Sequence, residues 1–253
     1  MQNILNLNSK DLDRHVYRII SVERLVDLFT HKKNVLVAPS LWDDPFENFI
    51  LKSKVRKSSG QVVDYQFHKN FYGQCWATHK ASDAMWRIYS SDSKGVRIRT
   101  TVRKLISSLY QVTSCSNYST SYIGKVKYLT ESELAEFCST LFYDDRIENE
   151  NLFRSLLVKR KAFQHESEIR LLYCDLIDKI EGRDGDNDNS GLFSYTINPH
   201  ELIEQFMLDS RLDASEAKNL KSELRKLTGF EGEIKRSLLY AAPEEVIINV
   251  NKA

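Results

Sequence analysis

Two acids separated by a single serine, Glu166 and Glu168, are the residues whose spacing most directly suggests chemistry. The surrounding segment resembles a strand, in which residues i and i+2 point the same way, about 6.5–7 Å apart. Two carboxylates held side by side in a cleft can stabilise a developing positive charge and act as a base. The alternative is a solvated strand face on which Arg170 neutralises the pair.

Arg18 is the only charged residue of a short apolar segment, 16–20, that is typical of a strand. The planar fork of donors on a guanidinium suits a pyrophosphate group, so Arg18 is a candidate for binding one at a cleft. The alternative is an arginine at the edge of a sheet that pairs with one of the many acids.

An acid-rich turn follows at 42–47, with the sequence Trp-Asp-Asp-Pro-Phe-Glu. Asp44 and Glu47 could bind a divalent cation or accept hydrogen bonds from ribose hydroxyls. The alternative is a structural turn in which Asp44 caps backbone amides and Pro45 fixes φ.

A fourth group of candidates lies at 75–79 and 85–89, where aromatic residues are dense. Thr78 and His79 end a predicted strand, a position where site residues are often found, although such a histidine is more often a structural partner. Trp76 and Tyr89 could stack on a flat ligand ring, and core packing explains them equally well.

Two basic segments also stand out. Residues 94–104 contain five Lys or Arg and no acid, and Lys159, Arg160 and Lys161 form a compact cluster. Arg97 and Arg99 share one face of a predicted strand, which could track phosphates. Because 36 Lys and Arg face 35 Asp and Glu over the whole chain, solvated faces are the favoured interpretation.

The elements that position these residues alternate irregularly between strands and helices. Strands are predicted at 16–20, 34–38, 72–78, 96–101 and 166–173, and a closing strand at 246–250. Helices are predicted from Ser21 to about Lys32, after Ser82, after the Thr130–Glu133 capping box, over 148–162, and over 214–227 before Gly229. The expected fold class is α+β, with mixed, mainly antiparallel sheets and flanking helices.

Length and composition limit the remaining choices. The 253 residues, 42% of them apolar, suit one domain over 1–253, and the polar, Gly-rich segment 181–191 predicts a mobile loop. The four cysteines are widely spaced, no apolar run is long enough to cross a bilayer and no signal segment is seen, so a cytoplasmic protein without a membrane contact is expected. The signatures of P-loop, dinucleotide-binding Rossmann, zincin and α/β-hydrolase proteins are missing, and no resident metal is expected.

Taken in order, these segments resemble a bacterial domain family of unknown function with the pattern f-N-D-P-f-E, M-W-x-x-Y and Y-E-x-E-x-R. The resemblance runs from about Tyr17 to Tyr240 and includes N-P-x-x-L-I-x-x-F from Asn198 and the later S-L-L-Y. His165 replaces the usual aromatic residue before the first Glu, and Trp42 replaces the common Phe.

The order of an arginine, a hydroxyl residue and E-x-E is in addition similar to the R-S-E class of ADP-ribosyltransferases. This resemblance implies NAD as substrate, with Arg18 on its phosphate or ribose and Thr78 bracing the nicotinamide-ribose pocket. It further implies that Glu168 stabilises the oxocarbenium-like transition state and that Glu166 orients or deprotonates the acceptor. Thr78 stands where the class has Ser.

The expectation is therefore an ADP-ribosyltransferase-like enzyme that modifies a macromolecule, either protein or nucleic acid. A bacterial toxin or phage-defence effector with an antitoxin or chaperone partner would fit this activity. Two alternatives stay open. One is a Mg²⁺-dependent nuclease, with oxygen ligands from Asp43, Asp44, Glu47 and the glutamate pair. The other is a non-enzymatic module that binds a ligand or a partner.

Overall fold

The computed structural model describes residues 3–64, 70–80, 82–113, 120–143, 146–147, 149–175 and 191–242. The strands in these residues are β1 (Ile4–Leu5), β2 (His15–Ile20), β3 (Lys33–Val37), β4 (Lys54–Arg56), β5 (Val62–Asp64), β6 (Phe71–Ala77), β7 (Val96–Thr101), β8 (Ser121–Lys125), β9 (Lys127–Leu129), β10 (Phe142–Tyr143), β11 (Arg146–Ile147), β12 (Val158–Arg160), β13 (Glu168–Cys174), β14 (Leu192–Thr196), β15 (Gln205–Leu208) and β16 (Glu233–Arg236). The α-helices are α1 (Val22–His31), α2 (Asp83–Tyr89), α3 (Val102–Thr113), α4 (Glu131–Ser139), α5 (Asn149–Ser155), α6 (Pro199–Leu202) and α7 (Ala214–Thr228).

Ten of these strands form one sheet. Eight follow the order β1-β8-β13-β6-β2-β7-β15-β16, and β3 joins β6 and carries β14. Only the outer pairs β1–β8 and β15–β16 are parallel in this sheet. The expected α+β class with a mainly antiparallel sheet is therefore confirmed.

The sheet divides along one edge of β6. Strand β2 contacts β6 through the pair Tyr17–Ala77, whereas β3 contacts the other end of β6 through the pair Val37–Gly73. Between these two contacts, residues 74–76 are paired with β13 alone among the described strands. The two halves of the sheet thus separate beside the middle of β6.

Each face of the sheet covers its own apolar core. Alternate residues of β13 point to opposite faces, so Ile169 and Leu171 join the larger core while Leu172 and Cys174 join the smaller one. Helices α1, α3 and α7 contribute to the larger core, and α5 contributes to the smaller one. Glu168 and Arg170 point to the face of the smaller core, so the candidate site lies on that face.

Helix ends follow the predicted capping signals. The Ser21 and Ser82 hydroxyls accept hydrogen bonds from backbone N–H groups of the first turns of α1 and α2. The Thr130–Glu133 capping box begins α4, and Gly229 ends α7 with a φ of 62°, in the left-handed region that glycine adopts without strain.

The helix predicted over 148–162 is the clearest departure. Helix α5 ends at Ser155, and strand β12 and a 3₁₀ helix over Lys161–Glu166 follow. The reason lies in Leu156, Leu157 and Val158, which are consecutive and all buried. An amphipathic helix cannot bury three successive side chains on one stripe, so the chain extends here and pairs with β9.

Some sequence-based predictions fall outside the described residues. These are the 181–191 loop, apart from Gly191, and the closing strand at 246–250. Among the helices that the structure describes, none combines the length and the apolar character that crossing a bilayer requires.

Candidate active site

Glu168 begins strand β13 and is 5% exposed. One of its carboxylate oxygens accepts a hydrogen bond from Lys159 Nζ at 2.9 Å, and the other accepts one from Arg170 Nε at 2.7 Å. Its backbone N–H donates to the Tyr128 hydroxyl at 2.8 Å. The carboxylate is therefore fixed in place by two cations beneath the surface.

Glu166 is placed by a turn rather than by a strand. It is the last residue of the 3₁₀ helix, and Ser167 follows with a φ of 48°, in the left-handed region. This turn replaces the predicted alternation of a strand, yet it brings the Glu166 carboxyl into hydrogen-bond contact with that of Glu168. Lys159 Nζ also donates to Glu166.

The two carboxyl groups differ in acidity. Burial raises the pKa of Glu166 to about 8, and the hydrogen bond with Glu168 contributes to that rise. Burial also opposes ionisation of Glu168, but the charge of Arg170, the Glu166 hydrogen bond and Lys159 together bring the pKa of Glu168 below its usual range. At neutral pH the site thus holds an ionised Glu168 beside a Glu166 that is mostly protonated.

Glu47, from the acid-rich turn, belongs to the same cluster. Its carboxylate lies 2.6 Å from Lys159 Nζ and 3.0 Å from Arg170 Nη2. Arg170 is fully buried, and its guanidinium lies 4.6 Å from the centre of the Trp42 ring. We call the set Glu47, Lys159, Glu166, Glu168 and Arg170 the buried charge cluster.

Asp44 is close to this cluster but makes different contacts. Its Oδ1 accepts hydrogen bonds from the backbone N–H of Phe46 at 3.1 Å and from Arg160 Nη2 at 3.0 Å. The first contact is the backbone cap expected of a structural turn. Asp43 is exposed.

Thr78 connects the end of β6 to the glutamate turn. Both its backbone N–H and its hydroxyl donate to the Ser167 carbonyl, at 3.0 and 3.1 Å. The structure therefore brings the predicted hydroxyl residue against the E-x-E segment, where it stabilises the turn.

Arg18 is half-buried on β2, next to the division of the sheet. It has neither an ion pair nor a hydrogen bond within the described ranges. Register places Tyr17, rather than Arg18, on the face of Ala77 and Glu168. Burial lowers the pKa of Arg18, and the nearby Cys75 and Tyr89 oppose that shift.

The two aromatic candidates separate. Trp76 is 2% exposed in the larger core, where its ring N–H donates to Gln74 at 2.8 Å. Tyr89 ends α2 with its side chain half-exposed. Partial burial, followed by the charges of Glu166, Cys75 and Glu168, raises the pKa of the Tyr89 hydroxyl. Tyr89 thus shares an electrostatic neighbourhood with Arg18 and with both glutamates, while Trp76 lies on the opposite face.

Sequence reasoning treated two central residues of the cluster only as background. Lys159 was one member of a basic run expected on a solvated face, and Arg170 was the neutralising residue of the alternative interpretation. The available signal was the sequence before Lys159, where Leu156, Leu157 and Val158 are three consecutive apolar residues. All three are buried, and Lys159 follows them into the interior. His79 is exposed at the end of β6.

Within the described residues there is no group of three or more His, Cys, Asp or Glu side chains placed to hold a metal ion. Apart from the exposed Asp43, the acids proposed as Mg²⁺ ligands in the nuclease alternative already have partners, since Lys159 and Arg170 neutralise the glutamates and Arg160 pairs with Asp44. The geometry therefore gives that alternative no support.

Three solved structures of Thermus sp. 2.9 DarT are similar to the chain at low identity. The complex with NAD⁺ has 12% identity and a TM-score of 0.39, covering 89% of this chain and 96% of that one. The carba-NAD⁺ complex has 13% identity and a TM-score of 0.37, with the same coverage. The complex with ADP-ribosylated ssDNA has 11% identity and a TM-score of 0.39, covering 94% of this chain and 98% of that one.

A search of curated proteins finds no match to the chain. Residues 85–171, from the middle of α2 into β13, match a family model described as a protein of unknown function, DUF2971. Over that stretch, the resemblance to a domain family of unknown function is confirmed.

Proposed function

We propose that this protein is an ADP-ribosyltransferase that takes ADP-ribose from NAD⁺ and attaches it to a macromolecular acceptor. The observation that carries the proposal is the contact between the Glu166 and Glu168 carboxyl groups, whose pKa values move in opposite directions. Environments that separate the acidities of two neighbouring carboxyls are the usual basis for dividing acid–base roles between them.

Glu168 suits the electrostatic role. In the proposed reaction the bond between the ribose C1′ and the nicotinamide nitrogen breaks, and nicotinamide leaves with the electron pair as a neutral molecule. Positive charge then builds on the ribose carbon, and a preorganised carboxylate stabilises it. A carboxylate has about four acceptor sites. Lys159, Arg170 and Glu166 occupy three of them, so one remains for a ribose hydroxyl.

Glu166 suits the proton transfer. An acceptor O–H or N–H forms the new bond to C1′ and loses its proton to the Glu166 carboxylate, which later releases it to water. Because the pKa of Glu166 is about 8, the group is mostly protonated at pH 7, but about a tenth of it is ionised and can accept a proton, so its basicity is close to the working pH. The raised pKa of Glu166 therefore makes it a stronger base than an ordinary glutamate, as this proton transfer requires.

Arg18, Thr78 and Tyr89 complete the proposed site. Arg18 does not share the face of Glu168, but its half-buried guanidinium lies beside the division of the sheet, close enough to Cys75 and Tyr89 to interact with them electrostatically. It has no ion pair or hydrogen bond with the described residues, so in this proposal it accepts the pyrophosphate of NAD⁺ from there. Thr78 holds the glutamate turn, and the half-exposed Tyr89 ring is available to stack on a base.

Asp44 and Glu47 act as positioning residues in this proposal. Glu47 helps to hold Lys159 and Arg170, the two cations that fix Glu168. Asp44 holds Arg160 and the turn that carries Glu47. A toxin or phage-defence effector with a neutralising partner is the biological setting that we propose for such a transferase.

The test is to incubate the full chain with NAD⁺ labelled in the ADP-ribose portion, together with bacterial lysate or a mixed-sequence single-stranded oligonucleotide. We expect nicotinamide release and label on a macromolecule, and a loss of at least 100-fold in both for Glu168→Gln. Glu131→Gln, on an exposed face of α4, is the matched control and should keep the wild-type rate.

Glu168→Gln removes a negative charge that pairs with Lys159 and Arg170, which lowers the stability of the fold. Thermal unfolding is therefore measured on the same variant to establish that it is folded in the assay. A folded Glu168→Gln protein with wild-type nicotinamide release would refute the catalytic role. No release and no labelling by the wild-type chain, under conditions where it is folded, would count against the transferase itself. In that case the buried charge cluster is a structural element.

A further inference from the structure

A second feature, on the same face of the sheet, is a small pocket between helix α2 and strands β2, β6 and β7. Its lining includes Tyr17, Ala77, His79, Ser82 and Arg97, and the described residues that form it include no Asp or Glu. Its volume is about 280 Å³, counted with the solvent at its mouth. Because that figure includes open solvent, the enclosed part of the pocket has room for a single small chemical group rather than for a whole ligand.

Arg97 is the unusual residue of this pocket. Among the described residues, three basic side chains are buried, namely Arg97, Lys159 and Arg170. Lys159 and Arg170 each contact glutamate carboxylates. Arg97 has no ion pair or hydrogen bond with any described residue, and its buried Nε lacks an acceptor. Its guanidinium lies 4.8 Å from the centre of the Tyr17 ring, which is an interaction with a π face rather than with an anion.

Arg97 is charged at physiological pH despite its surroundings. Burial lowers its pKa to about 10, which is still well above neutral. A buried charge without a counter-ion is strongly unfavourable, because its hydration is lost and nothing replaces it. The arrangement is therefore that of a site whose counter-ion arrives with a ligand.

The other polar groups of the pocket are compatible with an anion. The Ser82 hydroxyl oxygen accepts from the Met85 backbone N–H at 3.3 Å, so its own hydrogen remains available to donate. His79 is exposed at the rim and can supply a further donor. A charged fork, a hydroxyl and an imidazole together form a donor set of the kind that recognises phosphate oxygens.

The pocket is adjacent to the buried charge cluster. Ala77, one of its lining residues, is the direct cross-strand neighbour of Glu168 and points to the same face. Directly opposite residues of an antiparallel pair have Cα atoms about 4.5–5.5 Å apart. Because Ala77 lines the pocket and lies opposite Glu168, the pocket and the buried charge cluster adjoin each other on one face of the sheet.

We propose that this pocket binds a phosphate group of a nucleotide ligand and that Arg97 is its counter-ion. The site is separate from Arg18, which lies on the other side of the strand that carries Tyr17. Only the identity of the nucleotide rests on the proposed function. The phosphate belongs either to the dinucleotide itself or to the phosphodiester backbone of a nucleic-acid acceptor. These two sources can be distinguished by which ligand loses affinity when Arg97 is replaced.

The experiment measures binding to the full chain without turnover, using calorimetry with inorganic pyrophosphate, ADP-ribose and a single-stranded oligonucleotide. The variants are Arg97→Gln and Arg97→Lys. Arg99→Gln is the matched control, two residues along the same strand and on the same face, with its charge paired to Glu204. We expect Arg97→Gln to weaken binding at least tenfold, Arg97→Lys to weaken it less, and Arg99→Gln to change it less than twofold.

The pattern across ligands identifies the source. Loss of pyrophosphate and ADP-ribose binding in Arg97→Gln assigns the pocket to the dinucleotide, and loss of oligonucleotide binding alone assigns it to the acceptor backbone. Equal binding of every ligand by Arg97→Gln and by the wild type, or no binding of any by the wild type, overturns the proposal.

Thermal unfolding supplies a second measurement that does not depend on catalysis. Pyrophosphate should raise the Tm of the wild type and leave that of Arg97→Gln unchanged. Arg97-dependent binding of ADP-ribose by a chain that never releases nicotinamide would keep the phosphate pocket and reject the transferase. If Arg97→Gln released nicotinamide at the wild-type rate and bound every ligand as the wild type does, the transferase would be kept and the phosphate pocket rejected.

Discussion

Ala77 lies directly opposite Glu168 in the antiparallel pair of β6 and β13, and the same Ala77 is directly opposite Tyr17 of β2. These three residues therefore form one row across the sheet and point to one face. The row joins the buried charge cluster to the pocket that contains Arg97. We expect a single ligand to lie along this row, with the ionised Glu168 carboxylate at one end and the Arg97 guanidinium at the other.

The pH dependence of nicotinamide release should follow Glu166. If Glu166 accepts the proton of the acceptor, it must be ionised, so the transfer rate should rise as the pH increases through about 8 and then level off. The measurement is a pH–rate profile with a saturating acceptor. A flat profile between pH 6 and 9, or an unchanged midpoint in Glu166→Gln, would contradict this role.

Protonation of Glu166 should also affect the stability of the fold, which we expect to fall over the pH range in which the transfer rate rises. A carboxyl whose pKa is raised on folding, from 4.5 to about 8, binds more protons in the folded state throughout that window. The free energy of unfolding should therefore fall as pH rises from about 4.5 to about 8. Urea unfolding at several pH values checks this slope, and Glu166→Gln should flatten it relative to the wild type. A slope that persists unchanged in that variant would assign it to another group.

Lys159 should be the most sensitive residue of the buried charge cluster. Its ammonium group contacts Glu47, Glu166 and Glu168, and it is 7% exposed. Removing one partner of a buried ion pair costs about 3–5 kcal/mol because the remaining charges are uncompensated. We expect Lys159→Met to lower the free energy of unfolding by about that amount in urea denaturation.

The matched control is Lys161→Met, an exposed member of the same basic run. Exposed substitutions away from special contacts usually change stability by less than about 0.5 kcal/mol. Equal effects of the two lysine variants would mean that the cluster contributes nothing specific to stability.

The local features of the fold could be predicted because they depend on neighbouring residues. The capping residue Ser21, the capping box of Thr130 and Glu133 and the stop at Gly229 each act within one turn of a helix. The alternation of β7 likewise identified a strand over Val96–Thr101 with the correct bounds.

The environments of the charged residues could not be predicted in the same way. Alternation places Arg97 and Arg99 on one face of β7, but whether that face is covered depends on where α2 packs, which is a tertiary contact. Glu166 was expected on a strand, but it is the last residue of a 3₁₀ helix. Ser167 follows it in the left-handed region, which is an uncommon conformation for a residue other than glycine. The resulting contact between two carboxyls depends on Lys159 and Thr78, which lie elsewhere along the chain.

Gly73 should be required because Trp42 lies against it. A Cβ atom at Gly73 would be 2.6 Å from Trp42 Cζ2 and 3.0 Å from Leu172 Cδ2, so the indole would have to leave its place under Arg170. We expect Gly73→Ala to destabilise the protein by about 1–3 kcal/mol, the usual cost of overpacking. Urea denaturation measures the effect.

A double-mutant cycle separates this contact from a general intolerance of β6. In the background of Trp42→Phe, which offers a smaller ring, Gly73→Ala should cost less, with a coupling of about 0.5 kcal/mol or more. Additive effects would mean that Trp42 is not what excludes a side chain at this position.

The last prediction concerns Thr78 and the turn that carries the two glutamates. Thr78→Val removes the hydroxyl that donates to the Ser167 carbonyl but keeps the backbone N–H that donates to the same oxygen, so the turn loses one of two ties. Loss of one such hydrogen bond costs about 0.5–1.5 kcal/mol. Because the turn also sets the contact between Glu166 and Glu168, the rate of nicotinamide release should fall together with stability. Thr78→Ser should restore both, and Thr196→Val, at an exposed position of β14, should change neither. If Thr78→Val matched the wild type in urea denaturation and in nicotinamide release, the hydroxyl would have no part in holding the turn.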